Sequence, residues 1–138
     1  MADLVAELDA LAPQLAALVS ILPAERSADE AEAVEAMGLC LHKLRGMAPE
    51  LAASHQRFLA AHAEREQHHL ALRRLLHDIR SPTSVLYSYL QLIGCSMIFA
   101  HASTEARAQA ELLVVALRRV RDECLQTPPL DGTPYTNA

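Results

Sequence analysis

Leu4, Leu8, Leu11, Leu15, Leu18 and Leu22 recur at spacings of three and four, which places them on one stripe of an amphipathic helix. The pattern predicts a helix over about Asp3 to Leu22, ended by Pro23. Ser27 followed by Glu30 matches a capping box, in which each side chain satisfies a backbone N–H at a helix start. A second helix is therefore predicted from that point to about Arg45, with Gly46 and Pro49 marking its end. Pro49 suits the first turn of a third helix, because the N–H it lacks would have found no intrahelical acceptor there.

Beyond Pro49 the apolar phase barely stops. Leu51, His55, Phe58 and His62 are followed by Leu72, Leu76, Ile79, Leu86, Leu90, Ile93 and Met97, with Arg65 and His69 interrupting. One long helix or two stacked ones are predicted. Pro82 removes a backbone hydrogen bond and kinks the helix, and the phase carries through it. A turn is expected from Ala100 to Ser103, after which Ser103 caps a last helix with Ala106, Ala110, Leu113, Leu117, Val120 and Cys124 facing inward. Glu105 near its start and Arg118, Arg119 and Arg121 near its end complement the helix dipole. Pro128, Pro129, Gly132 and Pro134 read as a flexible tail from Thr127. There is no internal repeat.

Composition fixes the class as all-α. The 138 residues fit one domain, and 51% hydrophobic content with 4% aromatic residues suits alanine- and leucine-rich helices better than strands. A net charge of −5 lacks the basic excess that phosphate-backbone binding requires, so nucleic acid is excluded as a partner. Cys40, Cys95 and Cys124 are widely spaced and odd in number, which reads as buried free thiols in a reducing compartment. Acidic Asp3, Glu7 and Asp9 stand where a secretory leader carries positive charge, so a cytoplasmic protein is expected. The uncharged stretch from Ser81 to Ala100 is long enough to span a bilayer. Pro82, Ser84, Ser88, Gln91 and Ser96 dilute it, and a buried central helix is the better reading, without membrane insertion.

The candidate chemistry centres on His77. At ~100° per residue, His77 lies roughly 140° from the mean direction of Leu72, Leu76, Ile79 and Leu86, so it faces solvent when they are buried. An exposed imidazole, partly neutral at physiological pH, offers a ring nitrogen that can attack a phosphoryl group. Arg73, Arg74 and Arg80 are one helical turn away and can steady phosphoryl oxygens or attract an acidic surface, and Asp78 can accept a proton or orient the ring. The plainer reading is an exposed histidine beside ordinary surface arginines.

The run His77-Asp78-Ile79-Arg80-Ser81-Pro82 resembles the phosphoacceptor box of the dimerisation domains of bacterial sensor histidine kinases: histidine, acidic, apolar, basic, hydroxyl, proline. Val85 to Ile93 also resembles the rest of that family's first helix, so the resemblance covers about Glu66 to Gln126. It implies that His77 is a phosphoacceptor, that Asp78 assists transfer, and that Asp78 with Ser81 occupies the family's phosphatase-motif positions. Ser81 departs from the usual Thr or Asn, and Thr83 stands where the family usually has Leu. Arg73, Arg74, Arg80 and Ser84 would then meet a receiver domain.

A histidine kinase also needs an ATP-binding domain, and no glycine-rich nucleotide motif is present among four glycines. An ATP-dependent kinase is not expected from this chain alone, nor is a cofactor. Two readings follow: a phosphorelay protein passing a phosphoryl group between receiver domains, or a non-catalytic helical adaptor that binds a histidine kinase or response regulator. A third, a metal-binding helical bundle, comes from His55, His62, His68 and His69 with Glu64 and Glu66 nearby. The matching ligands from other helices are missing, so no metal site is assigned, and a polar helix seam explains the seven-residue spacing better. His42 and His101 suggest no chemistry.

The expected architecture is an antiparallel hairpin over residues 47–126, pairing in a homodimer to make a four-helix bundle, with residues 1–46 as two additional N-terminal helices and 127–138 as a tail. The alternative is a monomer in which the N-terminal helices complete the bundle.

Overall fold

The computed structural model describes residues 2–126, and the predicted tail lies outside them. It contains α1 (Ala2–Ile21), α2 (Ala28–Ala60), α3 (Arg65–Asp78), α4 (Arg80–Gly94) and α5 (Thr104–Cys124), with no strand among the described residues. α1 buries all six leucines of its stripe. Pro13 sits inside it on an exposed position, where water can serve the carbonyl that the missing N–H leaves open. At the start of α2 the capping box is complete: Glu30 N–H donates to Ser27 Oγ at 3.2 Å and Ser27 N–H to the Glu30 carboxylate at 2.9 Å.

α2 corrects the predicted boundary at Gly46 and Pro49, because the helix runs through both. An unbroken inward stripe, Ala33, Met37, Cys40, Leu44, Ala48, Leu51, Ser54 and Phe58, carries it across. That burial outweighs an interior glycine and proline, each of which is exposed. The helix stops where the stripe does. The next inward positions are His62 and Arg65, which offer nothing apolar to bury. Ala61 turns extended, and Glu64 adopts a left-handed conformation at φ 57°. The N-terminal extension and the hairpin therefore share a helix, and the hairpin's first arm begins at Arg65.

α3 and α4 are separated by Ile79 alone, which keeps helical backbone angles. Pro82 cannot donate to the Asp78 carbonyl, and Thr83 instead donates twice to the Ile79 carbonyl, from its N–H at 3.2 Å and from Oγ1 at 2.7 Å. This back-bonding satisfies the buried hydroxyl where the proline interrupts the helical ladder between α3 and α4. α4 ends at Gly94, so its 15 residues are too short to cross a bilayer, which takes about 20. Asp3–Ile21 in α1 is long and apolar enough to do so by length and composition, and its leucine face is turned into the core.

The predicted stripe fails at Met97, which is 72% exposed, because residues 95–103 form a loop. Phe99 and Ala102 fill the core from that loop instead. The Phe99 N–H donates to Glu30 Oε2 at 2.8 Å, so the carboxylate that caps α2 also fixes the far loop. Ser103 caps α5 through the Ala106 N–H at 3.1 Å, as its sequence position implies. Neighbouring contacts close a ring: α1 packs on α2 and α5, α2 on α3 and α4, and α4 on α5. The two N-terminal helices thus pack on the hairpin within one chain, while Leu70, Val85, Leu112 and Val115 of the hairpin stay exposed.

Candidate functional site

The junction of α3 and α4 displays the predicted box. Ile79, Pro82 and Thr83 are buried, whereas His77, Asp78, Arg80, Ser81 and Ser84 are exposed. The inward group anchors the junction against the core, and the outward group stands in the last turn of α3 and the first turns of α4. The His77 side chain is 76% exposed, and its Nδ1 lies 3.6 Å from Asp78 Oδ1. That separation is too long for a hydrogen bond and within range for electrostatic orientation of the ring. Nε2 has no partner among the described residues.

Arg73 and Arg74 lie one turn N-terminal to His77, are exposed, and form no ion pair among the described residues. Arg80 and Ser84 point toward α5 instead, where they line a recess of about 220 Å³ with Ile79, Thr83, Arg121, Cys124 and Leu125. A second recess of about 120 Å³ shares Thr83, Ser84 and Arg121 with the first and adds Tyr87, Ser88, Leu117 and Arg118. The predicted residues thus divide between an open surface around His77 and a groove beside it. Sequence reading assigned Arg118 and Arg121 only to the helix dipole. Their i,i+3 spacing placed them on one face of α5, but only the packing of α5 on α4 brings that face to Arg80.

The histidines expected as a metal or seam cluster are dispersed. His62 falls in the 61–64 loop, which breaks its helical spacing to Glu66 and His69. His69 is buried, with its ring centroid 5.4 Å from that of Phe58, and Arg65 places its guanidinium 4.7 Å from the same ring centroid. The two residues that interrupt the apolar phase therefore pack on Phe58. Burial pushes His55 below the usual histidine value. No cluster of three metal-ligating side chains occurs among the described residues.

The cysteines are free, and Cys95 corrects the expectation of burial: it is exposed, while Cys40 and Cys124 are buried. Burial pushes the Cys124 thiol up to about 11, so it remains protonated at neutral pH. Compared with protein-family models, curated proteins and solved structures, the chain matches none. The resemblance of His77 to Pro82 accordingly rests on those six residues and their setting.

Proposed function

We propose that this chain is a cytoplasmic phosphorelay protein of the two-component type, with His77 accepting a phosphoryl group from one receiver-domain aspartate and passing it to another. The observation that carries the reading is an exposed His77, its Nε2 without a partner among the described residues, held at the α3–α4 junction inside a sequence that resembles the histidine kinase box. In the forward step the Nε2 lone pair attacks phosphorus, an N–P bond forms, and the acyl-phosphate P–O bond breaks to release the donor carboxylate. Nδ1 keeps its proton, and Asp78 steadies the positive ring. Transfer onward reverses these bonds at the second aspartate.

Arg73 and Arg74 supply positive charge to the acidic face of a receiver domain, and Arg80 and Ser84 extend that surface along α4. Ser81 stands one turn from His77, where it can position a water for dephosphorylation. Packing of α1 and α2 on the hairpin supports a one-chain bundle as the working unit, in place of the paired hairpins of the resembled family.

Incubation with a panel of phosphorylated receiver domains tests the reading. Acid-labile, base-stable label on the wild-type chain, absent from His77→Gln, is the expected result. Absence of label across the panel, with His77→Gln binding receivers or a kinase as well as wild type does, would replace the relay by the adaptor.

A further inference from the structure

We propose that the groove between α4 and the C-terminal half of α5 binds a small phosphate monoester carrying one ring-sized apolar group. Three arginines, Arg80, Arg118 and Arg121, line its two adjoining recesses, and among the described residues no aspartate or glutamate does. In a chain of net charge −5 this gathers three positive side chains along one groove. Among the described residues the only arginine of the groove in an ion pair is Arg121, whose Nε lies 3.6 Å from Asp122; both side chains are more than half exposed, so the contact is weak, and Glu111 and Glu123 lie outside the two recesses.

One of the donors, Arg118, is held in place before any ligand arrives. Arg118 Nε and Nη2 donate to Tyr87 Oη at 3.2 and 3.1 Å, and the guanidinium carbon lies 5.8 Å from the ring centroid, which orients the side chain and leaves Nη1 without a partner among the described residues. Gln91 Nε2 also donates to Tyr87 Oη, at 3.0 Å. With its acceptor capacity taken, the hydroxyl has its proton left to give. The Ser84 hydroxyl has no partner among the described residues. Guanidinium forks and hydroxyl donors around one opening suit a tetrahedral dianion, since each arginine can present paired N–H groups to its oxygens.

The floor of the first recess is apolar, built from buried Ile79 and the protonated Cys124 thiol, with exposed Leu125 at its edge. Thr83 directs its hydroxyl proton to the Ile79 carbonyl rather than into the space. A volume of about 220 Å³ exceeds the ~150 Å³ in which an engineered apolar cavity takes benzene, and falls short of the ~300 Å³ where drug-sized sites begin. One ring fits, with the phosphate at the rim where Arg121 and Ser84 belong to both recesses. Ser84 at the rim is seven residues from His77, about 10 Å along the helix, and His77 lines neither recess. The site does not depend on phosphoryl transfer at His77.

Titration of the ¹⁵N-labelled full chain with phenyl phosphate at constant ionic strength tests this, with inorganic phosphate and phenol as comparison ligands. Saturable shifts at Ser84, Arg121 and Leu125 are expected, with affinity at least about tenfold weaker for either comparison ligand, for Arg121→Gln and for Arg80→Gln, the loss that follows from one charge-assisted contact. His77→Gln should bind as wild type does. Equal affinity for inorganic phosphate overturns the apolar subsite, and equal affinity for phenol overturns the anion subsite. Unchanged binding in both arginine variants overturns the location.

Discussion

Replacing Gly46 by alanine separates a continuous α2 from the break that Gly46 and Pro49 suggest in the sequence. In the structure Gly46 lies within the helix on an exposed position, and a Cβ built there meets nothing within 4 Å. The substitution then changes only helix propensity and the freedom of the unfolded chain, together about 1 kcal/mol in favour of alanine. For a chain of this length that corresponds to a rise in Tm of ~3 °C. Gly38 is equally open in the same helix, so Gly38→Ala should gain as much. The two sites are eight residues apart, about 12 Å along the axis, and share no partner, so the double variant should gain ~2 kcal/mol. Urea and thermal unfolding followed by circular dichroism measure all three variants. A chain that turned at Gly46 with positive φ would strain the alanine and lose stability instead. A fall in Tm for Gly46→Ala beside a rise for Gly38→Ala would refute the unbroken helix.

Phe58→Ala should cost about 3–5 kcal/mol in urea unfolding, because Phe58 is fully buried and carries both His69 and Arg65; a loss below about 1 kcal/mol would show that these contacts do not anchor the turn after α2. Glu30 should make the 95–103 loop acid-sensitive. The Ser27 N–H, followed by that of Phe99, holds its carboxyl below the ordinary value of 4.5, so this stabilisation is present above that value and is lost as pH falls through the lowered folded one. Amide exchange at Phe99 should speed up on acidification, relative to amides in the core helices, and Glu30→Gln should show the faster exchange already at neutral pH. Equal Phe99 protection in the variant and wild type would rule the clamp out.

How much of this was legible from the chain depended on whether a rule was local. The six leucines of α1, the Ser27–Glu30 box and the Ser103 cap involve residues three or four apart, and each stands as its spacing implies. The solvent-facing position of His77 followed from the same geometry, since the phase of Leu72, Leu76, Ile79 and Leu86 fixes the opposite side of the helix. The breakers misled. Gly46 and Pro49 lower helix propensity by a few kcal/mol at most, and the burial of Met37 through Phe58 on both sides of them exceeds that.

The sequence by itself determined the all-helical class, the caps and the outward His77, because these depend on helical periodicity and on backbone groups within one turn. Only the tertiary structure decided where α2 ends, that Phe99 rather than Met97 enters the core, and that Arg80 meets Arg118 and Arg121 across a groove. Those outcomes depend on which faces find a partner to bury against, and the partners are far apart along the chain: Glu30 reaches Phe99, Phe58 meets His69, and α5 returns to α4.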